Sequence, residues 1–154
     1  MKTGKIKAVQ RNNRKRVIQV AYASGKKVDV HYSQLGILKN ISEIWIDKET
    51  RGMSVGMRLE DGKEEFMPYD QPLALAKDPE YQLQNQIERL IAHIKVALEK
   101  KKISKRYLAE QLKTSDNQIQ RLLNPKILNK NLEQLYKVAS LLGLELEWNI
   151  TWAA

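Results

Sequence analysis

Polar side chains that can form paired hydrogen bonds fall on one side of a short predicted helix. The apolar residues Ile119, Leu122 and Leu123 mark the buried side of this helix, so its other side faces outward. The outward residues are Asp116, Asn117, Gln120, Arg121 and Asn124. Arginine can donate to both O6 and N7 of guanine, and Asn or Gln can pair with the edge of adenine. The stripe therefore predicts contacts with base edges, although Asp116 equally suits the positive end of a helix dipole.

The helix that carries this stripe is the second of a closely spaced pair. The first helix is expected to begin after Ser104, with Ile103 and Leu108 forming a hydrophobic staple, and to run to about Leu112. A small residue, Ala109, lies where two closely crossing helices would need one. Only about two residues separate the pair, so we expect the helices to cross steeply.

Local signals set the bounds of the second helix and of the helices around the pair. Ser115 and Gln118 predict a capping box at the start of the second helix, and Asn124-Pro125 is expected to stop it. Asp78-Pro79-Glu80 predicts the start of a longer, earlier helix that reaches Lys101. The expected buried positions of that helix are Ile87, Leu90, Ile91, Ile94 and Leu98. A last helix is predicted from Asn131 to Gly143 as its cap, with Leu132, Leu135, Ala139 and Leu142 buried.

The spacing of the pair resembles a known DNA-binding family. The pattern Ser104-x3-Leu108-Ala109-x5-Ser115-x3-Ile119-x2-Leu122 is similar to the lambda-repressor/Cro-like helix-turn-helix, or XRE, family over roughly residues 84–143. The run Arg121-Leu122-Leu123-Asn124-Pro125, with the later Leu141-Leu142-Gly143, is also similar to the C-terminal reader of HicB-type antitoxins. The resemblance implies that the helix after Ser115 enters the major groove.

Two positions depart from the family pattern. Lys113 lies in the turn where many members have glycine, and a left-handed lysine costs about 1 kcal/mol. Lys105 stands where several repressors have a glutamine that bridges a phosphate and a base-reading side chain. Lysine can hold the phosphate, but it cannot orient a neighbour as an amide does, so the family's bridge has no amide here.

Positive charge is concentrated around the pair. The 154 residues include 27 Lys or Arg and 18 Asp or Glu, a net charge of +9. Residues 95–130 hold ten basic residues against three acids, whereas residues 131–154 hold one against three. This distribution favours a polyanionic partner over an ordinary solvated surface, which is the alternative. The phosphate-contact candidates are Lys100, Lys101, Lys102, Ser104, Lys105, Arg106, Lys113, Ser115, Lys126 and Lys130.

The N-terminal part of the chain contains a repeat with an offset of 37 residues. Residues 20–26 and 57–63 each place alternating apolar residues before a Ser-Gly or Asp-Gly turn, and Tyr-x-Gln follows in both copies. Such segments predict two related hairpins in one small antiparallel sheet, and the run Ile41–Ile46 predicts a further strand. A duplication and similar turn chemistry arising twice both account for the repeat.

The two ends of the chain have their own patterns. Residues 2–16 carry seven Lys or Arg and no acid, which is typical of a solvated tail or of a basic arm along nucleic acid. At the other end, apolar residues alternate with polar ones, which predicts a half-buried strand. They are Leu144, Leu146, Trp148, Ile150 and Trp152. This strand is expected to cover the helical core, or to pair with the N-terminal sheet or with a second subunit.

Composition and missing motifs argue against several classes of protein. The chain has no cysteine, which excludes disulfides, thiolate zinc sites and cysteine nucleophiles, and no apolar run approaches ~18 residues. It has no Gly-rich phosphate loop, His-Glu-x-x-His or Gly-x-Ser-x-Gly motif. His31 and His93 stand alone, and Glu64-Glu65 lies beside a turn. We therefore expect a cytoplasmic protein that is not an enzyme, with no catalytic residue, cofactor, metal or membrane segment.

These patterns predict an α+β protein with a boundary near residue 79. Residues 1–79 form a β-rich domain, and residues 80–154 form an all-α helix-turn-helix domain with a short C-terminal strand. The expected function is sequence-specific binding of double-stranded DNA by a homodimer for transcriptional regulation, with repression by occlusion of a promoter as the expected mode. The organisation resembles bacterial XRE-type regulators with an uncharacterised N-terminal domain. One alternative is an antitoxin that neutralises a toxin through its N-terminal domain and represses its own operon, and another is a protein-interaction module that binds no DNA.

Overall fold

The computed structural model describes residues 4–152 and shows an α+β protein. This range contains two antiparallel three-stranded sheets and five α-helices. The described residues divide into two compact units, with the boundary between Gln82 and Leu83. None of the helices in the described range combines the length and the apolarity that crossing a bilayer requires.

The first sheet is formed by β1 (Ile6–Asn12), β2 (Val17–Tyr22) and β3 (Lys27–His31), in that order. The expected alternation is confirmed, because Ile18, Val20 and Tyr22 are all buried. The expectation of a tail or an arm over residues 2–16 is wrong for residues 6–12, since these pair with β2 along the length of the strand. Pairing with β2 satisfies the backbone groups on one edge of β1, and the pattern of local charge gives no sign of this contact.

The second sheet is formed by β4 (Ile41–Ile46), β5 (Ser54–Leu59) and β6 (Glu64–Pro68), and a short helix α1 (Gln71–Leu75) follows it. The predicted strand Ile41–Ile46 is confirmed. The expectation that both hairpins share one sheet is wrong. Each hairpin instead pairs, along the outer edge of its first strand, with the strand that precedes it in the chain. That edge is therefore not available for pairing with the other hairpin.

The two sheets repeat each other beyond the hairpin turns. The offset of 37 residues relates β2 to β5 and β3 to β6, and β1 and β4 carry an irregularity at the same place, after Ile6 and after Ile41. The turn hydrogen bonds also repeat, because the Tyr22 and Leu59 amides each donate over 2.8 Å to a carbonyl four residues later. Similar turn chemistry alone requires neither the third strand nor the shared irregularity, so the structure favours a duplication.

The first unit has a single core to which both sheets contribute. The hydroxyl groups of two buried tyrosines form hydrogen bonds. The Tyr22 hydroxyl donates to the carbonyl of Tyr69, and the Tyr32 hydroxyl donates to Asn13 Oδ1 over 2.7 Å. Burial raises the pKa of Tyr22 well above its ordinary value, so this donor stays protonated. Asn13 Oδ1 also accepts from the Ile41 amide over 2.9 Å, which ties the first turn to β4.

Helix α2 (Pro79–Lys101) begins in the last residues of the first unit and continues into the second unit, which also contains α3 (Lys105–Leu112), α4 (Asp116–Leu122) and α5 (Leu132–Leu141). Its core contains predicted apolar residues from all four helices, Leu90 is only partly buried, and Ala139 is buried as expected. The expectation for Leu132 is wrong, because this side chain is 52% exposed. Leu132 follows the N-cap Asn131 directly, and the buried side of α5 begins only at Leu135. Gly143 lies just past the cap Leu142, with a left-handed φ of 69°.

The expectation of a C-terminal strand is wrong. Residues 144–152 form no strand, and no strand of the described range pairs with them. Ile150 is 89% exposed, and the Trp148 indole N–H donates to the hydroxyl of Tyr136 on α5. Alternation gives a segment two different faces, but a strand also requires a hydrogen-bonding partner.

Candidate nucleic-acid interface

Serine caps fix the starts of α3 and α4. Ser104 Oγ accepts a hydrogen bond from the Tyr107 amide over 3.1 Å, and Ser115 Oγ accepts one from the Gln118 amide over 3.2 Å. Both helices therefore begin where the sequence predicts. The predicted capping box at Ser115 is only partly present. The described hydrogen bonds include the one accepted by the Ser115 side chain but not the return bond from the Gln118 side chain.

A left-handed lysine makes the sharp turn between α3 and α4. Lys113 has φ 53° and ψ 48°, and the Thr114 amide donates back to the Ala109 carbonyl over 2.9 Å. This hydrogen bond closes the end of α3 in the manner of a Schellman motif. Ala109 is buried, as the close approach of two helices requires. The turn thus has the backbone that glycine adopts at least cost, with a lysine in its place.

We expect Lys113→Gly to raise the free energy of unfolding by about 0.5–1 kcal/mol. Glycine relieves the steric cost of the left-handed backbone, and part of the gain is offset by the greater freedom of glycine in the unfolded chain. Lys100→Gly is the matched control, because Lys100 lies within the last turn of α2 and its replacement should destabilise by roughly 1 kcal/mol. Urea unfolding of both variants measures the difference. Equal destabilisation by the two changes would contradict the strain at Lys113.

The outward face of α4 carries most of the predicted base-reading residues. Asp116, Asn117, Gln120 and Arg121 are exposed, while Ile119 and Leu122 are buried. The helix ends at Leu122, two residues before the predicted stop, so Asn124 lies outside it. Asn124 is half-buried, and its Oδ1 accepts from the Lys126 amide over 3.0 Å. The structure therefore groups four of the five candidates and gives Asn124 a turn-forming contact.

Lys130 differs from the other phosphate candidates. Its ammonium group donates to the Arg121 carbonyl over 2.7 Å and to the Asn124 carbonyl over 2.6 Å. Burial, aided by the charges of Arg121 and Lys95, lowers the pKa of Lys130 from its ordinary value. This lysine stabilises the carbonyl end of α4, so its charge is already committed within the chain.

The remaining basic candidates lie on the surface around α3 and α4. Lys102 follows α2, Lys105 and Arg106 begin α3, and Lys126 follows α4, all of them exposed. Arg106 Nε lies 3.8 Å from Glu110 Oε1, an exposed pair one helical turn apart that stabilises little. Among the described ion pairs, none involves Lys102, Lys105 or Lys126. The side chains of these three lysines are therefore exposed, and no described ion pair uses their charge.

Sequence reasoning missed a shallow groove beside Arg121. Between the end of α4 and the start of α5, Gln118, Asn129 and Gln134 line this groove together with Arg121. The Gln134 amide donates to Asn131 Oδ1 over 3.1 Å, which fixes the start of α5 here. The cap signal at Asn131 locates the helix start, but the approach of Asn129 to Arg121 depends on tertiary packing.

Evidence for other chemistry is sparse in the part of the chain that the structure describes. Within residues 4–152, no group of three or more His, Cys, Asp or Glu side chains is placed to hold a metal ion. His31 and His93 are both exposed. Comparisons of this chain with protein-family models, with curated proteins and with solved structures gave no match.

Proposed function

We propose that this chain binds double-stranded DNA sequence-specifically, with α4 in the major groove, and thereby regulates transcription. In this proposal α3 and α4 act as the helix-turn-helix that the resemblance to the XRE family implies. The exposed face of α4 carries the proposal, because Asn117, Gln120 and Arg121 present amide and guanidinium groups next to one another. These groups match the hydrogen-bonding edges of adenine and guanine in the major groove. Repression follows where the bound site overlaps a promoter.

The charge around α4 supports the same proposal. Lys102, Lys105 and Lys126 are exposed on the segments that flank α3 and α4. Phosphate contacts from such side chains position a protein on the duplex without specifying a sequence. In this proposal the side chains of Asn117, Gln120 and Arg121 select the DNA sequence, and the lysines bind the phosphate backbone. The cytoplasm is the compartment in which such a protein meets bacterial DNA.

We expect the protein to bind DNA as a homodimer on an inverted repeat. A single short helix reads only a few base pairs, which is too few for useful discrimination in a genome. The exposed apolar residues Trp148, Ile150 and Trp152 offer one surface for pairing, and the sheets of the first unit offer another. Sedimentation of the protein with a selected duplex measures the stoichiometry. A monomer at micromolar concentration, both free and on DNA, would contradict this expectation.

Selection from a random duplex pool tests the proposal directly. The intact chain is incubated with the pool at low salt, and bound duplexes are amplified and sequenced over several rounds. We expect an enriched inverted repeat whose half-sites lie about one helical turn apart. If the folded protein enriches no sequence, DNA recognition is wrong and an interaction module becomes the better interpretation.

A further inference from the structure

The outer face of the second sheet carries an aromatic row. Trp45, Gly56 and Phe66 are cross-strand neighbours on β4, β5 and β6. The Trp45 ring lies against the backbone of Gly56, so closely that a β-carbon on Gly56 would come within 2.3 Å of the ring. Phe66 meets Trp45 edge to face, with 6.2 Å between ring centroids, and is 56% exposed. Phe66 is therefore the solvent-exposed member of the row, whereas Trp45 is half-buried, with the Arg58 guanidinium 5.8 Å from its ring centroid.

The duplicated first sheet shows that the fold does not require this row. The equivalent cross-strand neighbours on β1, β2 and β3 are Gln10, Gln19 and Asp29. The side-chain amide of Gln19 donates to Asp29 Oδ1 over 3.3 Å, so this row is polar throughout. Glycine in the middle of a strand also weakens it, which makes Gly56 costly unless Trp45 needs the space. The difference between the two copies favours a role for the aromatic row outside folding.

The surroundings of the aromatic row are acidic. In the next cross-strand row, the Arg58 guanidinium donates to Glu43 over 2.7 Å and to Glu64 over 2.9 Å, which leaves one carboxylate in excess. Asp47 lies on the other side, where its carboxylate accepts from the Ser54 hydroxyl. Residues 41–70 hold eight acids against four basic residues, whereas residues 4–40 hold one acid against nine. The aromatic face therefore lies on the acidic sheet of a basic protein.

We infer that this aromatic face docks a basic segment of another protein. An apolar side chain of the partner packs on Phe66 and Trp45, and a neighbouring Lys or Arg lies beside Glu43 and Glu64. Interfaces have this arrangement, with exposed aromatic anchors at the centre and charged residues at the rim. A nucleic acid is a poor occupant, because its phosphates would meet the excess of carboxylates. None of these residues belongs to α3 or α4, so this docking and the binding of DNA can fail separately.

Selection from a displayed library of random peptides tests the docking face. The intact chain and its Phe66→Ala variant are taken through the selection in parallel, and the leading peptide is synthesised for affinity measurements. We expect the wild-type chain to enrich peptides that combine Lys or Arg with a large apolar residue. The leading peptide should bind about 10- to 30-fold more weakly to Phe66→Ala. Leu38→Ala is the matched control, because Leu38 is an apolar side chain of the same unit that is 89% exposed, and it should not change the affinity.

A double variant, Glu43→Gln with Glu64→Gln, tests the charge separately and keeps the test decisive if Phe66→Ala unfolds. The double variant should bind the leading peptide several-fold more weakly, and this binding should depend less on salt concentration. The docking of a basic segment is overturned if no peptide is enriched, if the enriched peptides are acidic, or if both variants bind as the wild type does. It is also overturned if a 12-nucleotide oligo-dT binds the wild type and loses affinity on Phe66→Ala, since base stacking would then explain the aromatic row.

Discussion

Raising the salt concentration from 50 to 200 mM should lower the affinity for a selected duplex by about 10⁴- to 10⁵-fold. Four or five basic side chains per subunit are expected to reach phosphates, and two subunits bind. The candidates are Lys102, Lys105, Arg106, Lys113 and Lys126. Release of condensed counterions then gives a slope of roughly −7 to −9 for log K against log salt. Fluorescence anisotropy at several salt concentrations measures this slope.

Two lysine variants separate phosphate contacts from structural contacts. Lys126→Ala should reduce the magnitude of the slope by about 1 per subunit, because it removes one phosphate contact. Lys130→Met should leave the slope unchanged, since the Lys130 ammonium is held by the Arg121 and Asn124 carbonyls. Loss of those hydrogen bonds should instead cost roughly 1–3 kcal/mol of stability. A slope near zero for the wild-type protein would exclude DNA as the partner held by this surface.

Arg121→Ala should weaken binding to the selected duplex by 1–3 kcal/mol, which is roughly 5- to 150-fold. Asn117→Ala should have an effect of the same order. Both side chains are exposed, and the backbone carbonyl of residue 121 that accepts from Lys130 is retained, so the fold should be intact. Binding to the selected duplex and to duplexes with single base changes measures the effect on specificity.

The control for specificity is Lys102→Ala. It should weaken all duplexes about equally, because a phosphate contact carries no sequence information. The variants of Arg121 and Asn117 should instead relax the preference at particular base pairs. An unchanged sequence preference in Arg121→Ala would show that α4 does not lie in the major groove.

The starts of the helices could be predicted from the sequence because their causes are local. Ser104, Ser115 and Asn131 each accept a hydrogen bond from an amide three residues later, so a few adjacent residues are enough to identify the cap. Apolar spacing then predicts which side of each helix is buried, as Ile119 and Leu122 illustrate. The outward position of Asn117, Gln120 and Arg121 follows from the same periodicity.

Contacts between residues that are distant in the sequence determined the features that local patterns did not predict. Residues 6–12, which belong to the basic N-terminal run, form a strand because they pair with β2, whereas the alternating residues 144–152 pair with no described strand and form none. Lys130 carries the same charge as Lys126, but only its position near the end of α4 brings it to two carbonyls. The sequence shows two copies of a hairpin, and the tertiary structure shows that one has a polar outer row and the other an aromatic one. Caps and helical faces depend on neighbours within one or two turns, whereas strands, buried cations and surface rows depend on which remote segments meet.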